Sequence, residues 1–186
     1  MIFYRGKDEE RMKDSISTRE QRIFHTFDPV YNQDSRILIL GSFPSVKSRE
    51  NHFYYGHPQN RFWKVVAGVL GVKVPETIDE KRDMLLEHGI AVWDVIHSCT
   101  IHGSSDSSIK DVVVNDFSEI LANSSVKKVY VNGGKAYELY EKYAKKETGI
   151  PAMKLPSTSP ANAAWKVERL IEAWKCIKEN ELNREA

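Results

Sequence analysis

The sequence predicts an α/β domain in which a mostly parallel sheet is covered on both faces by helices. Three observations point there. The chain has 186 residues, a length that suits one compact core. Four short apolar runs, at residues 37–40, 90–93, 129–131 and 152–155, are spaced like strands. Stretches of helical periodicity separate them, so the connections cross over and leave neighbouring strands parallel.

The elements follow in order. Ile37-Leu38-Ile39-Leu40 is the clearest strand and runs straight into Gly41. In residues 59–70, Phe62, Trp63, Val66 and Leu70 recur at helical spacing, with Gly71 as C-cap. Residues 78–88 form a second helix ended by Gly89, and Ile90-Ala91-Val92-Trp93 the second strand. Residues 114–122 read as a helix with Asn115 as N-cap. Val129-Tyr130-Val131 is the third strand, and Gly133-Gly134 turns into a helix over 135–146. Residues 152–155 make the fourth strand. A final amphipathic helix spans 163–178, burying Val167, Leu170, Ile171 and Trp174. The expected organisation is a charged N-terminal extension, residues 1–22, and one domain, residues 23–186. No internal repeat interrupts it.

Composition narrows the function classes. Lys and Arg total 27 against 26 acidic residues, a formal net charge of +1, so a polyanionic partner would need a local basic face. No run of about 18 apolar residues is present, and the first residues lack the apolar core of a secretory signal. The two cysteines, Cys99 and Cys176, are read as reduced thiols and are too few for a four-cysteine cluster. A flavodoxin-like small-molecule binder would want a glycine-rich phosphate fingerprint, and none is found. No cofactor and no metal is expected. The remaining expectations are a cytoplasmic monomer, associated with the nucleoid if prokaryotic.

In parallel sheets ligands bind where strands end and helices begin. The segments GSFPS, DVIHS, NGG and PSTSPAN follow the four strands and should converge on one edge. Gly41-Ser42-Phe43-Pro44-Ser45 could aim backbone N–H groups at an anion or carbonyl, or be an ordinary strand-to-loop turn. Phe53-Tyr54-Tyr55-Gly56-His57-Pro58-Gln59-Asn60-Arg61-Phe62-Trp63 is more specific, because consecutive aromatics in a loop are costly to solvate and suit a flat heterocycle. Phe62 and Trp63 fit the core of the following helix. Asn60 and Arg61, expected in its first turn, could reach a ligand, cap the helix or stay on the surface. Asp94, at a strand's carboxyl end, could accept from a base N–H or cap a turn. Residues 155–162, LPSTSPAN, carry hydroxyls and amides suited to phosphate or to helix capping.

Together these segments resemble the uracil-DNA glycosylase superfamily, and specifically its hypoxanthine-DNA glycosylase branch, over about residues 22–178. HPQNRFWKVV is similar to a segment of the mismatch-specific uracil glycosylases. The resemblance implies a three-layer α/β/α fold with a four-stranded, mainly parallel sheet. It implies a metal-free monofunctional enzyme of base excision repair that flips a deaminated base of DNA into a pocket. It places Tyr55 on the flipped base and Asp94 on the base edge, and backbone N–H groups around Phe43 are expected to meet the charge of the leaving base. Phe43 and Leu155 stand where relatives keep water-activating or base-stabilising polar groups. Asn60 is expected to hold the water in their place, with Asn51 as the alternative. Ser45, Lys47, Lys135, Ser157, Ser159 and Asn162 are expected to contact DNA. The rival expectation is a non-catalytic DNA or nucleotide binder of the same fold.

Overall fold

The computed structural model describes residues 20–101 and 108–178. In chain order the elements are β1 (Gln21–Phe24), β2 (Ile37–Gly41), α1 (Val46–Asn51), α2 (Phe62–Leu70), α3 (Ile78–Glu87), β3 (Ile90–Asp94) and β4 (Ile96–Ile101). They continue with β5 (Lys110–Val114), α4 (Ser118–Ala122), β6 (Lys128–Asn132), α5 (Gly134–Leu139), α6 (Lys145–Thr148), β7 (Ala152–Leu155) and α7 (Val167–Trp174). A π-helical stretch, Tyr140–Ala144, joins α5 to α6, and a 3-10 turn, Lys175–Ile177, extends α7.

The expected four-stranded sheet forms in the order β3-β2-β6-β7, with every neighbouring pair parallel. Its central strands are apolar on both faces because both are covered. Ile37 and Ile39 face α2 and α7, packing with Phe62, Val66, Leu170 and Trp174. Leu38 and Leu40 point the other way, into a layer with Phe117, Ile120, Leu139 and Tyr140. The two-residue repeat of a strand thus divides one apolar run between two cores. Register aligns the carboxyl ends: Gly41 lies beside Asp94, and Asn132 beside Leu155.

A second sheet, β1-β4-β5, was not foreseen. It is antiparallel, and β4 leaves the main sheet only one residue after β3 ends. The helix expected over 114–122 is corrected by it. Val114 ends β5 paired with Ile96, and α4 begins only at Ser118. Asn115 caps nothing. It is buried and donates Nδ2 to the carbonyls of Asp94 and Ile96, at 2.9 and 3.3 Å, bracing the step between sheets. The run Val112-Val113-Val114 is β-branched, the signal that favours a strand.

Other boundaries moved for local reasons. The α2 helix begins at Phe62, after a turn in which Asn60 N donates to the His57 carbonyl. The α7 helix begins at Val167, and Val167 and Ile171 are only half-buried beside the buried Leu170 and Trp174. The expected boundary after residue 22 falls inside β1, and residues 1–19 of the expected extension lie outside the described ones.

Candidate active site

All four strand-end segments meet at one edge, around a cavity of about 460 Å³. Gly41–Ser45, Asp94, the Asn132–Lys135 turn and residues from 157–162 line it, together with Tyr54, Tyr55 and Asn60. Two glycines allow the close approaches. A Cβ on Gly41 would sit 2.3 Å from Asp94 Oδ1, so only glycine admits the carboxylate there. Gly133 has φ +97, and a Cβ on it would meet the Ser157 Cβ at 2.9 Å.

Asp94 is 4% exposed and faces this cavity. A buried carboxylate needs a partner, and His25 supplies it: Nε2 lies 2.9 Å from Asp94 Oδ2. The His25 ring is itself held among Phe27, Tyr54, Phe43 and Trp93, with centroids 4.5–6.5 Å away. It sits behind Asp94 rather than on the cavity wall. Sequence reading missed His25, because nothing in the residues just past β1, where it stands, marks it.

Tyr55 adopts a left-handed backbone conformation (φ 52), which costs a non-glycine residue about 1–2 kcal/mol. That turn lays its ring on Phe62, centroids 3.8 Å apart and planes 15° from parallel. Its hydroxyl is buried beside Asp94 and finds no partner in hydrogen-bonding geometry. Burial, then the Asp94 charge, push its pKa far above the ordinary tyrosine value, nearby Asn132 only partly opposing.

Asn60 belongs to a chain of hydrogen bonds. Its Oδ1 accepts from Phe62 N at 3.0 Å and from Thr158 Oγ1 at 2.9 Å. Thr158, fully buried, accepts in turn from Asn132 Nδ2 at 2.9 Å and returns its own N–H to Asn132 Oδ1 at 3.0 Å. Arg61 is no surface charge. Its guanidinium donates to the carbonyls of Thr158, Ser159, Asn162 and Trp165, and its backbone N–H also reaches the Thr158 carbonyl. Arg61 therefore clamps the β7–α7 loop to the start of α2.

The remaining expected residues divide. Phe43 borders the cavity, half-buried, with the Arg49 guanidinium 5.6 Å from its ring centroid. Ser45, Ser157, Ser159, Asn162 and Lys135 also border it. Ser45 additionally caps α1 through Ser48 N, while Asn162 Nδ2 closes the loop on the Ser157 carbonyl. Three do not reach the cavity wall. Leu155 points into the core between sheet and helices. Lys47 pairs with Glu50 at 2.7 Å on the surface. Asn51 is exposed at the end of α1. Thr158 and Asn132 were not singled out in advance, although both lie in segments placed at this edge.

The comparisons with known proteins agree with this geometry. Residues 29–178 match the model of the uracil DNA glycosylase superfamily. The chain belongs to that superfamily. Within it, the chain is similar to a hypoxanthine DNA glycosylase of Methanosarcina acetivorans, 36% identical over 153 residues, covering 81% of this chain and 95% of the relative. It is 37% identical over 139 residues to a hypoxanthine DNA glycosylase of Methanosarcina barkeri, covering 73% and 86%. A solution NMR structure of a Methanosarcina acetivorans protein, described as a candidate uracil DNA glycosylase, superimposes with a TM-score of 0.72. Its identity is 34%, over 83% of this chain and 96% of that one. The superfamily fold expected from the motifs is the one observed. No described helix is long and apolar enough to cross a membrane. Among the described residues no cluster of three or more His, Cys, Asp or Glu is placed to hold a metal ion.

Proposed function

We propose that this protein is a monofunctional DNA glycosylase that removes a deaminated base, hypoxanthine above all, leaving an abasic site for base excision repair. One observation carries the choice of a deaminated base over its parent: the buried Asp94 carboxylate facing the cavity beside Tyr55. Hypoxanthine has a ring N–H where adenine, its parent, has a lone pair. A carboxylate accepts from the first and repels the second, and an unmet buried polar group costs about 1–3 kcal/mol. The names of the two Methanosarcina relatives support the same base.

The reaction needs little beyond placed dipoles. The C1′–N9 bond breaks with its electron pair passing to the base, and the oxygen of water bonds to C1′. One proton of that water ends on the released base. Positive charge grows on the sugar and negative charge on the base, and fixed N–H groups are the natural stabilisers of the latter. Backbone N–H groups around Phe43 and the Asn60 side chain are the donors we assign. Among the described residues Lys135 is the one lysine on the cavity wall, and it is exposed. We assign it to phosphate rather than to a covalent step, so the strand stays uncut. Ser157, Ser159 and Asn162 would hold the displaced backbone with it. We place the catalytic domain at residues 23–186, acting as a cytoplasmic monomer.

The apolar Phe43 and Leu155 favour a second reading, a DNA binder that has lost its chemistry. Single-lesion duplexes carrying hypoxanthine, uracil or xanthine, incubated with excess protein, separate the two. Release of hypoxanthine fastest, with alkali-labile but uncut strands, is the expected result. Tight binding with no base release from any duplex would leave only the binder.

A further inference from the structure

The hydrogen bonds around Asn60 have a single consistent direction. A backbone N–H can only donate, so the Asn60 atom 3.0 Å from Phe62 N is the carbonyl oxygen. Asn132 is settled the same way, because Thr158 N donates to its oxygen at 3.0 Å. Asn132 must therefore meet the Thr158 hydroxyl with its Nδ2, at 2.9 Å. The hydroxyl, having accepted that bond, spends its one proton on Asn60 Oδ1 at 2.9 Å. Both acceptor sites of that oxygen are then filled. What Asn60 has left for the cavity it lines is Nδ2, a donor.

We propose that Thr158 is a positioning residue that turns Asn60 so that its amide N–H, and not its carbonyl, meets the bound base. This rests on the glycosylase reading above and replaces the expectation that Asn60 holds the water. A donor has the wrong polarity for that task, since it would bind the lone pair that must attack C1′. It has the right polarity for the leaving base, whose oxygen and ring nitrogens gain charge as the C1′–N9 pair moves onto them. Asn132 serves as the anchor. Its amide is locked by main chain, so the relay cannot reverse without breaking a bond to a backbone N–H.

Single-turnover release of hypoxanthine from an inosine-containing duplex tests the assignment, with a 2′-fluoro-deoxyinosine duplex to measure binding. Asn60→Asp keeps both bonds to Oδ1 but turns an oxygen to the cavity. It should lose as much rate as Asn60→Ala, about 100-fold or more. Thr158→Val keeps the shape and removes the relay. Its rate should fall at least about tenfold while binding of the 2′-fluoro duplex changes by less than about threefold. Thr158→Ser should recover most of that loss, and Thr158→Val should add nothing in an Asn60→Ala background. Near-wild-type rate in Asn60→Asp, or an equal effect of Thr158→Val with and without Asn60, overturns the proposal. Should Thr158→Val fail to fold, the Asn60→Asp arm decides alone. A wild-type protein that releases no base from any duplex overturns the glycosylase reading as well.

Discussion

The cavity has two polar arms built on opposite principles. On one side a carboxylate, Asp94, is buried against an imidazole that four aromatic rings enclose. On the other a neutral chain, Asn132–Thr158–Asn60, takes its direction from two backbone N–H groups. The charged arm offers an acceptor and depends on the packing of side chains around His25, in the segment that follows β1. The neutral arm offers a donor and depends on main chain at the edge of the first. An acceptor on one side and a donor on the other suit a base that carries both an N–H and a carbonyl. The contrast teaches that orientation can be set either by a side-chain partner or by backbone polarity. The two should fail differently.

Gly41→Ala strikes the charged arm alone. Its Cβ would lie 2.3 Å from Asp94 Oδ1, so the carboxylate must move. A displacement of about an ångström can cost roughly 100-fold, and single-turnover hypoxanthine release should fall by that order. Binding of undamaged DNA should be kept. Arg61→Ala strikes the neutral arm through its scaffold, removing the guanidinium bonds to four loop carbonyls. DNA affinity should weaken about tenfold and chemical unfolding should register a loss of about 2 kcal/mol or more. Arg61→Lys should recover little of either, because a point charge cannot replace a planar fork. His25→Ala removes the bond to Asp94 Oδ2 without touching the cavity wall. Hypoxanthine release should fall about tenfold, and the ratio of hypoxanthine to uracil release should shift with it. An unchanged ratio would make His25 a packing residue only.

Tyr55→Phe should give the smallest effect and the opposite sign in stability. The buried hydroxyl has no partner, so removing it should leave the unfolding free energy unchanged or raise it by up to about 1 kcal/mol. Burial raises the pKa of both Tyr54 and Tyr55 above 10.0 in the folded state. The fold therefore keeps protons that the unfolded chain loses. This contribution is complete below pH 10.0 and declines as pH rises beyond it. Alkaline unfolding of Tyr55→Phe should accordingly begin at higher pH than that of the wild type.

The legible parts of the site are those where local sequence and position in the fold coincide. Asp94 and the 157–162 loop were assigned to one sheet edge because each follows an apolar strand, Asn60 because it stands near a helix start, and Tyr55 because consecutive aromatics in a loop suit a flat heterocycle. Asn51 and Lys47 shared the neighbourhood in sequence, but α1 turns them outward to solvent. His25 left no trace. It directly follows a four-residue strand of mostly exposed residues, 69 positions before the carboxylate it contacts. Asn115 misled because a polar residue before an apolar stretch is the usual mark of a helix start. Here the same amide is spent on two carbonyls where one sheet gives way to another.

By itself the sequence determined the parallel sheet, its two cores and the edge at which the cavity forms. Those follow from continuous apolar runs and from the helical stretches between them, patterns that are read locally along the chain. Only the tertiary structure decided which polar atoms face the cavity. Asp94 is read through His25, and Asn60 through Thr158 and Asn132, across separations of 69, 98 and 26 residues. Hydrogen-bond direction is a property of the closed network, and the network exists only once the chain has folded.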